Sequence, residues 1–255
     1  MNNLVSIITP CFNSEKFISQ SIQSVIDQTH TNWEMIIVDD YSNDKTVVII
    51  EKFLKIDDRI QLFKLDKNSG AGVARNFAIQ KSNGNFIAFL DADDLWKPEK
   101  LQKQLDFMKL HDLPFTFSFY ETIDEYRNLL NETLTTPLKI SYNQLYYCNW
   151  IGNLTAIYSV DFFGKIEISS IKKRQDWLLW LQVLKQIKTA IPVPESLAFY
   201  RVREDSISAS KLKLLKYNFN VYRKFSNRNT ILSTLDMIRF LYVQLFVKPK
   251  YKIKE

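Results

Sequence analysis

Three times within its first hundred residues the chain runs a short apolar stretch directly into a polar cluster. LVSIIT (Leu4–Thr9) ends at Pro10–Asn13, EMIIV (Glu34–Val38) ends at Asp39–Ser42, and FIAFL (Phe86–Leu90) ends at Asp91–Asp94. Such runs read as buried strands. Between them, Phe17–Gln28 sets Ile18, Ile22, Val25 and Ile26 at helical spacing. Ser42-Asn-Asp-Lys-Thr supplies turn and N-cap chemistry for a helix over Val47–Leu54, and Gly70-Ala-Gly-Val-Ala-Arg-Asn opens a helix that stops at Asn83-Gly84. Ile60–Leu65 reads as another strand, and Pro98 starts a helix to about Lys109. Strands alternating with helices over short connections predict an α/β fold with a mostly parallel central sheet. Ligands of such sheets bind outside the carboxyl ends of the strands. The three polar clusters are therefore expected on one rim.

The cluster at Asp91, Asp93 and Asp94 is the most demanding. One Asp suffices to cap a helix, and Asp94 fits that role ahead of Trp96–Glu99. Three crowded carboxylates raise one another's pKa unless a cation neutralises them. Hard divalent ions take carboxylate oxygens and bridge them to phosphates, so Mn²⁺ or Mg²⁺ on a diphosphate is the expected role. Asp39 and Asp40 leave two readings open, Asx-turn chemistry or hydrogen bonding to a nucleotide. Arg75, one turn into its helix, is either a phosphate ligand or a surface arginine. Asp176 heads the apolar helix QDWLLWLQVLKQI (Gln175–Ile187) beside Trp177 and Trp180. It is either a first-turn acid or a partly desolvated general base. Trp96 and Trp150, near polar turns, could stack on a sugar or base.

Other classes are disfavoured. No Walker A motif occurs, and the Gly70 segment lacks the full dinucleotide fingerprint. His30 and His111 have no ligand-like spacing, and Cys11 and Cys148 make no disulfide framework. Two free thiols and no signal peptide suit the cytoplasm.

The second half is less patterned. Phe115–Tyr120, Leu154–Ser159 and Leu197–Val202 read as strands, and Tyr142–Tyr147, Lys211–Phe225 and Ile231–Val247 as helices. A boundary is expected near Ser210, giving a domain over 1–210 and a basic helical extension over 211–255. The extension holds 11 Lys and Arg against 2 Asp and Glu, while the first 210 residues hold 23 against 26. A membrane-surface tail or a nucleic-acid arm would fit such a balance. Ile231, Leu235, Ile238, Tyr242 and Leu245 share a helical face followed by Lys248, Lys250, Lys252 and Lys254. With Arg239 and Gln244 interrupting it, this stretch is expected to be too short for the ~20 residues of a span. An interfacial helix on anionic lipid, packing on the domain, and a dimer are the alternatives.

VSIITPCFN, FISQSIQSVIDQTHTNWEMIIVDDYSND, NSGAGVARN and FIAFLDADD, in that order and spacing, resemble the family 2 glycosyltransferases, and YRVREDSIS resembles the subgroup that builds bacterial capsular, O-antigen or teichuronic-type polysaccharides. The resemblance implies a GT-A type nucleotide-binding fold with a C-terminal helical extension. It implies a UDP-sugar donor, a lipid-linked or oligosaccharide acceptor, and no nucleic-acid partner. Thr9 and Pro10 would line the nucleotide pocket with Glu15 near its edge, Asp40 would bind the uracil, Arg75 the nucleotide and Asp91 the ribose. Asp93 would ligate Mn²⁺ or Mg²⁺, Arg203 would close over the diphosphate, and Asp176 would be the catalytic base. Phe12 stands where Tyr is usual, Gln175 where Glu is frequent, and Arg203 where many relatives carry His. A nucleotidyltransferase of related fold, or an inactive carbohydrate- or nucleotide-binding module, is the competing reading.

Overall fold

The structure is a computed structural model that describes residues 3–169, 171, 173–203 and 211–254. Its polar rim is carried by four parallel strands. β1 (Val5–Cys11) lies between β2 (Trp33–Asp39) and β4 (Phe86–Phe89), and β3 (Ile60–Lys64) flanks β2. All residues of β1 and β2 are buried, as in sheets covered on both faces. Alternate side chains serve two cores. Ile8, Ile36 and Phe89 join one with α3 (Ala71–Lys81) and α7 (Gln175–Ile187). Ile7, Ile37 and Ala88 join the other with α1 (Ile18–Ile26) and α4 (Lys100–Leu110). α2 (Thr46–Phe53) follows β2.

The later strands extend the sheet in mixed sense. β9 (Ile157–Ser159) pairs antiparallel with β4 and with β6 (Phe115–Ile123). Beyond β6 come β7 (Leu129–Leu134) and β11 (Lys252–Lys254), giving the order β11-β7-β6-β9-β4-β1-β2-β3. β10 (Thr189–Arg201) runs parallel to β6 and also pairs with the short β5 (Leu95–Trp96) and β8 (Ile140–Ser141). β10 begins at Thr189, well before the expected Leu197. Pro192 and Pro194 hide it in the sequence, since proline withholds a ladder donor. The ladder to β6 indeed shifts register between Val193 and Ser196. Two short helices, α5 (Tyr142–Tyr147) and α6 (Val160–Phe163), complete this half.

The expected boundary near Ser210 lies outside the described residues. The extension contains α8 (Lys211–Asn220), a π turn, and α9 (Thr230–Tyr242), capped by the Asn229 side chain, which accepts the Leu232 N–H at 2.9 Å. Helical structure continues through a π turn and a 3₁₀ turn to Tyr251, a run of 22 residues long and apolar enough to span a membrane by length and composition. The expectation of a stretch too short to span is corrected. Arg239 and Gln244 do not interrupt the helix, because their long side chains suit it and both turn to the protein body. Arg239 lies over the Tyr147 ring at 4.4 Å, and Gln244 accepts the Cys148 thiol at 3.6 Å.

Candidate active site

The first rim loop leaves β1 at Cys11. Thr9 is fully buried, with its hydroxyl oxygen unpartnered, and Pro10 is buried beside it. The loop is laced to the segment after β2. The Asn13 N–H donates to Ser42 Oγ at 2.9 Å and the Ser14 N–H to Thr46 Oγ1 at 2.7 Å. Glu15 is exposed and accepts the Lys45 N–H at 2.9 Å, while its own N–H donates to Asp44 at 3.1 Å.

The two aspartates after β2 divide their work. Asp39 accepts the Ser42 N–H at 3.0 Å, which is turn chemistry. Asp40 is buried and takes one N–H on each oxygen, from Ser69 and Gly70, both at 2.7 Å. Gly70 has φ +91°, a region that favours glycine. Asp40 thus fixes the turn that launches α3, and that turn sets the position of Arg75.

Arg75 reaches across the rim. Its guanidinium pairs with Asp91 at 2.6 Å and donates to Gln175 Oε1 at 2.9 Å. Its Nε is buried without a partner. Asp93 pairs with Arg203 at 2.8 Å. Asp94 does not cap α4, which begins at Lys100 behind Glu99; it is buried and accepts the Arg201 N–H at 2.9 Å. The Arg201 side chain in turn donates to the carbonyl oxygens of Asp93, Asp124 and Glu125 and to Gln20. Burial and the neighbouring carboxylates push the Asp94 carboxyl well above the usual range. Burial and Asp91 also raise Asp93, against the pull of Arg203.

Asp176 sits in the first turn of α7 and accepts a 2.7 Å hydrogen bond from Asn149 Nδ2. Its neighbour Gln175 is the other end of the Arg75 bridge. Gly72 makes room for that bridge: a Cβ there would meet Gln175 Nε2 at 2.4 Å. One chain of contacts, Asp91–Arg75–Gln175, therefore brings the head of α7 to the end of β4. Asn149, Gln175 as a bridging residue and Arg201 were not legible as site residues in the sequence. No periodicity or motif marks Asn149, and Arg201 reads as one more residue of the strand Leu197–Val202. Trp96 and Trp150 are buried and their indole N–H groups donate to carbonyls of Leu154 and Gln144, so neither is open to stack on a ligand.

No cluster of three or more His, Cys, Asp or Glu side chains able to cage a metal exists among the described residues. The donor set fits an ion held chiefly by its substrate. Asp93 is a single carboxylate with 29% of its side chain exposed, and Asp91 stands close by in the sequence. Mg²⁺-type ions take one or two carboxylates and complete their shell with phosphate oxygens and water. Arg75 and Arg203 already pair with these two carboxylates, and an ion on Asp93 would share it with Arg203.

Comparison with known proteins agrees with this geometry. Residues 6–160 match the family model described as glycosyl transferase family 2. A Bacillus subtilis protein assigned by name to teichuronic acid biosynthesis, the glycosyltransferase TuaG, is 39% identical over 93% of this chain and 94% of its own length. The Escherichia coli UDP-Glc:alpha-D-GlcNAc-diphosphoundecaprenol beta-1,3-glucosyltransferase WfgD is 38% identical over 87% and 86%. Among solved structures, Staphylococcus aureus TarS residues 1–349 with UDP-GlcNAc superposes with a TM-score of 0.69 at 19% identity, covering 94% of this chain and 73% of that one. The Pyrobaculum calidifontis mannosyltransferase PcManGT with GDP-Man and Mn²⁺ gives 0.68 at 16% identity, covering 97% and 71%. The fold is that of the GT-A glycosyltransferases, and the chain belongs to glycosyl transferase family 2, enzymes that draw on a nucleotide-sugar donor.

Proposed function

We propose that the chain transfers a sugar, with inversion, from a UDP-sugar to a hydroxyl of a lipid-linked or oligosaccharide acceptor in bacterial surface polysaccharide synthesis. The Asp91–Arg75–Gln175 bridge carries this reading, because it joins the carboxylates suited to a nucleotide diphosphate to the helix that bears Asp176. Thr9, Pro10, Glu15 and Asp40 border the nucleotide, Asp91 the ribose, and Arg75 and Arg203 the phosphates. The relatives support the substrate classes: WfgD is named for a UDP-sugar and a diphosphate-linked lipid acceptor.

In this mechanism Asp176 accepts the proton of the acceptor hydroxyl as its oxygen forms the new bond to the anomeric carbon. The bond from that carbon to the UDP oxygen breaks on the opposite face. Mn²⁺ or Mg²⁺ held on Asp93 would offset the charge growing on the leaving diphosphate. Arg203, 2.8 Å from Asp93, is placed to add to that stabilisation. A general base is worth about 10²–10⁴-fold. Asp176→Asn is therefore expected to lose turnover by that order while keeping UDP affinity. Wild-type turnover in the variant would remove Asp176 from this role.

The body over 1–210 would carry the chemistry and the extension over 211–255 would hold the enzyme, from the cytoplasmic side, to its membrane. An apolar face of α9 and of the π turn after it stands outward: Ser233, Asp236 and Phe240 are buried, while Ile231 is 74% exposed and Leu245 62%. Lys250 and Lys254 follow that apolar face, the composition of a helix that binds anionic lipid. Binding to vesicles of anionic phospholipid, lost on deleting 231–255, is the expected result; unchanged binding would contradict it.

A further inference from the structure

We infer that Asn149 is a positioning residue for the transfer reaction and that the C-terminal segment Val243–Lys254 holds it in place. The inference rests on Asp176 being the base. Asn149 lies in the loop after α5, and its side-chain amide is spoken for at both ends. Nδ2 donates to Asp176 Oδ2 at 2.7 Å, and Oδ1 accepts the Ile151 N–H at 3.3 Å. This leaves the other Asp176 oxygen for the acceptor hydroxyl and fixes which face of the carboxylate it meets.

The loop is gripped from outside by the end of the chain. Lys248 Nζ donates to the Asn149 carbonyl at 2.8 Å. On either side, the Cys148 thiol donates to Gln244 Oε1 at 3.6 Å, and Trp150 meets Tyr251 edge to face at 5.1 Å. The same segment is anchored to the sheet. The Tyr251 carbonyl accepts the Thr135 N–H at 2.8 Å, and Lys252–Lys254 pair with Glu132–Leu134. Three consecutive residues, Cys148, Asn149 and Trp150, thus depend on the extension, and the middle one holds Asp176. The extension that carries the lipid-facing helix is also the outer wall of the catalytic site.

The test is steady-state kinetics of the full chain, with UDP affinity measured alongside. Asn149→Ala is expected to lower kcat about 10- to 100-fold, the range for a lost hydrogen bond to a charged group, with donor KM and UDP affinity unchanged. Asn149→Asp sets a second carboxylate against Asp176, so the two share a proton and the acid limb of the rate profile moves to higher pH. Activity in that variant should recover as pH rises. That shift reads the contact between residue 149 and Asp176 in the working enzyme, and an unshifted profile would overturn the inference; a purely structural asparagine would instead lower UDP affinity and kcat together on replacement by alanine. Lys248→Met, which removes only the outer grip, is expected to show a smaller fall in kcat with the same KM pattern. Wild-type kcat and profile in Asn149→Ala, or loss of UDP affinity in step with kcat, would overturn the inference. Asp176→Asn separates the two readings. If it keeps turnover, the base assignment fails; if it is inactive while Asn149→Ala is wild type, only the positioning role fails.

Discussion

In α1 the apolar residues Ile18, Ile22 and Val25 are sealed against the sheet. In α9 the apolar residues Ile231, Leu235 and Ile238 stand in solvent, and Ser233 and Asp236 are among those buried. Both helices carry an apolar stripe; that of α1 faces the core, while α9 sends one stripe outward and packs Phe240 inward. α1 finishes a hydrophobic core, which is the usual reason for such a stripe. α9 instead turns Asp236 inward beside Phe240, and the carboxylate finds partners there. Asp236 accepts the hydroxyls of Tyr146 at 3.1 Å and Tyr147 at 3.3 Å and pairs with Arg228 at 3.4 Å. A contiguous apolar face left outside marks an interaction surface. The difference teaches that a stripe's period tells helix from strand, but not which side of it the protein occupies.

That contrast can be broken in several places. The largest effect is expected in the catalytic half. Asp93→Asn removes the carboxylate proposed to hold the cation, and sugar transfer should fall about 10²–10³-fold, the scale for losing one preorganised electrostatic contact to the leaving group. Undiminished metal-dependent transfer would contradict it. Next comes the outward apolar face of α9 and of the π turn after it. Replacing Leu235, Ile238 and Leu245 by Ser removes three exposed apolar side chains. At about 1.5–3 kcal/mol for each fully buried one, partition into anionic vesicles should drop by more than about 100-fold. Turnover on a soluble acceptor analogue should not change. If vesicle binding survives, the face serves something other than lipid.

A smaller effect is expected at the bridge between the halves of the site. Gly72→Ala improves helix propensity by about 1 kcal/mol, but its Cβ displaces the Gln175 amide from Arg75. Thermal stability should stay near wild type while kcat falls about 10-fold, the weight of one hydrogen bond to a charged group. Unaltered kcat would show that the bridge is dispensable.

The core half also hides a titration. Lys100 is fully buried, donates to Gln104 at 2.6 Å and lies over the Trp96 ring at 3.9 Å. Burial pushes its ammonium well below the ordinary 10.5. The unfolded chain therefore holds one more proton than the folded chain between the folded pKa and 10.5. Stability from this residue rises with pH across that window, by at most about 1.4 kcal/mol per pH unit. Lys100→Met should flatten the curve and raise stability at neutral pH. An unchanged slope in denaturant unfolding would contradict the assignment. Least of all should come from Lys103→Ala, which breaks an exposed pair with Glu195 at 2.5 Å and is expected to cost no more than about 1 kcal/mol.

The parallel half was legible because each strand is a short apolar run ended by a polar cluster, and the sheet's own rule sends those ends to one rim. Asp40, Asp91 and Asp93 follow the ends of β2 and β4 for that reason. The alternative readings of Asp40 and Arg75 needed coordinates, since the sequence cannot show that Asp40 anchors the turn whose helix carries Arg75 to Asp91. β7 and β11 went unseen because Leu129–Leu134 is mostly exposed or half-buried and Lys252–Lys254 is charged, so neither has the apolar alternation of a strand. Asn149 was invisible for a deeper reason. Its role depends on three segments, around 149, 176 and 248, that meet only in the folded chain.

On the proposed function, the rim built by β1, β2 and β4 binds a nucleoside diphosphate through a cation on Asp93. Calorimetric titration of UDP into the purified protein, with Mn²⁺ and then with EDTA, tests it most directly. Saturable UDP binding with Mn²⁺ that weakens when the metal is removed and is lost in Asp93→Asn is expected. UDP binding of equal strength in EDTA and in the variant would contradict it.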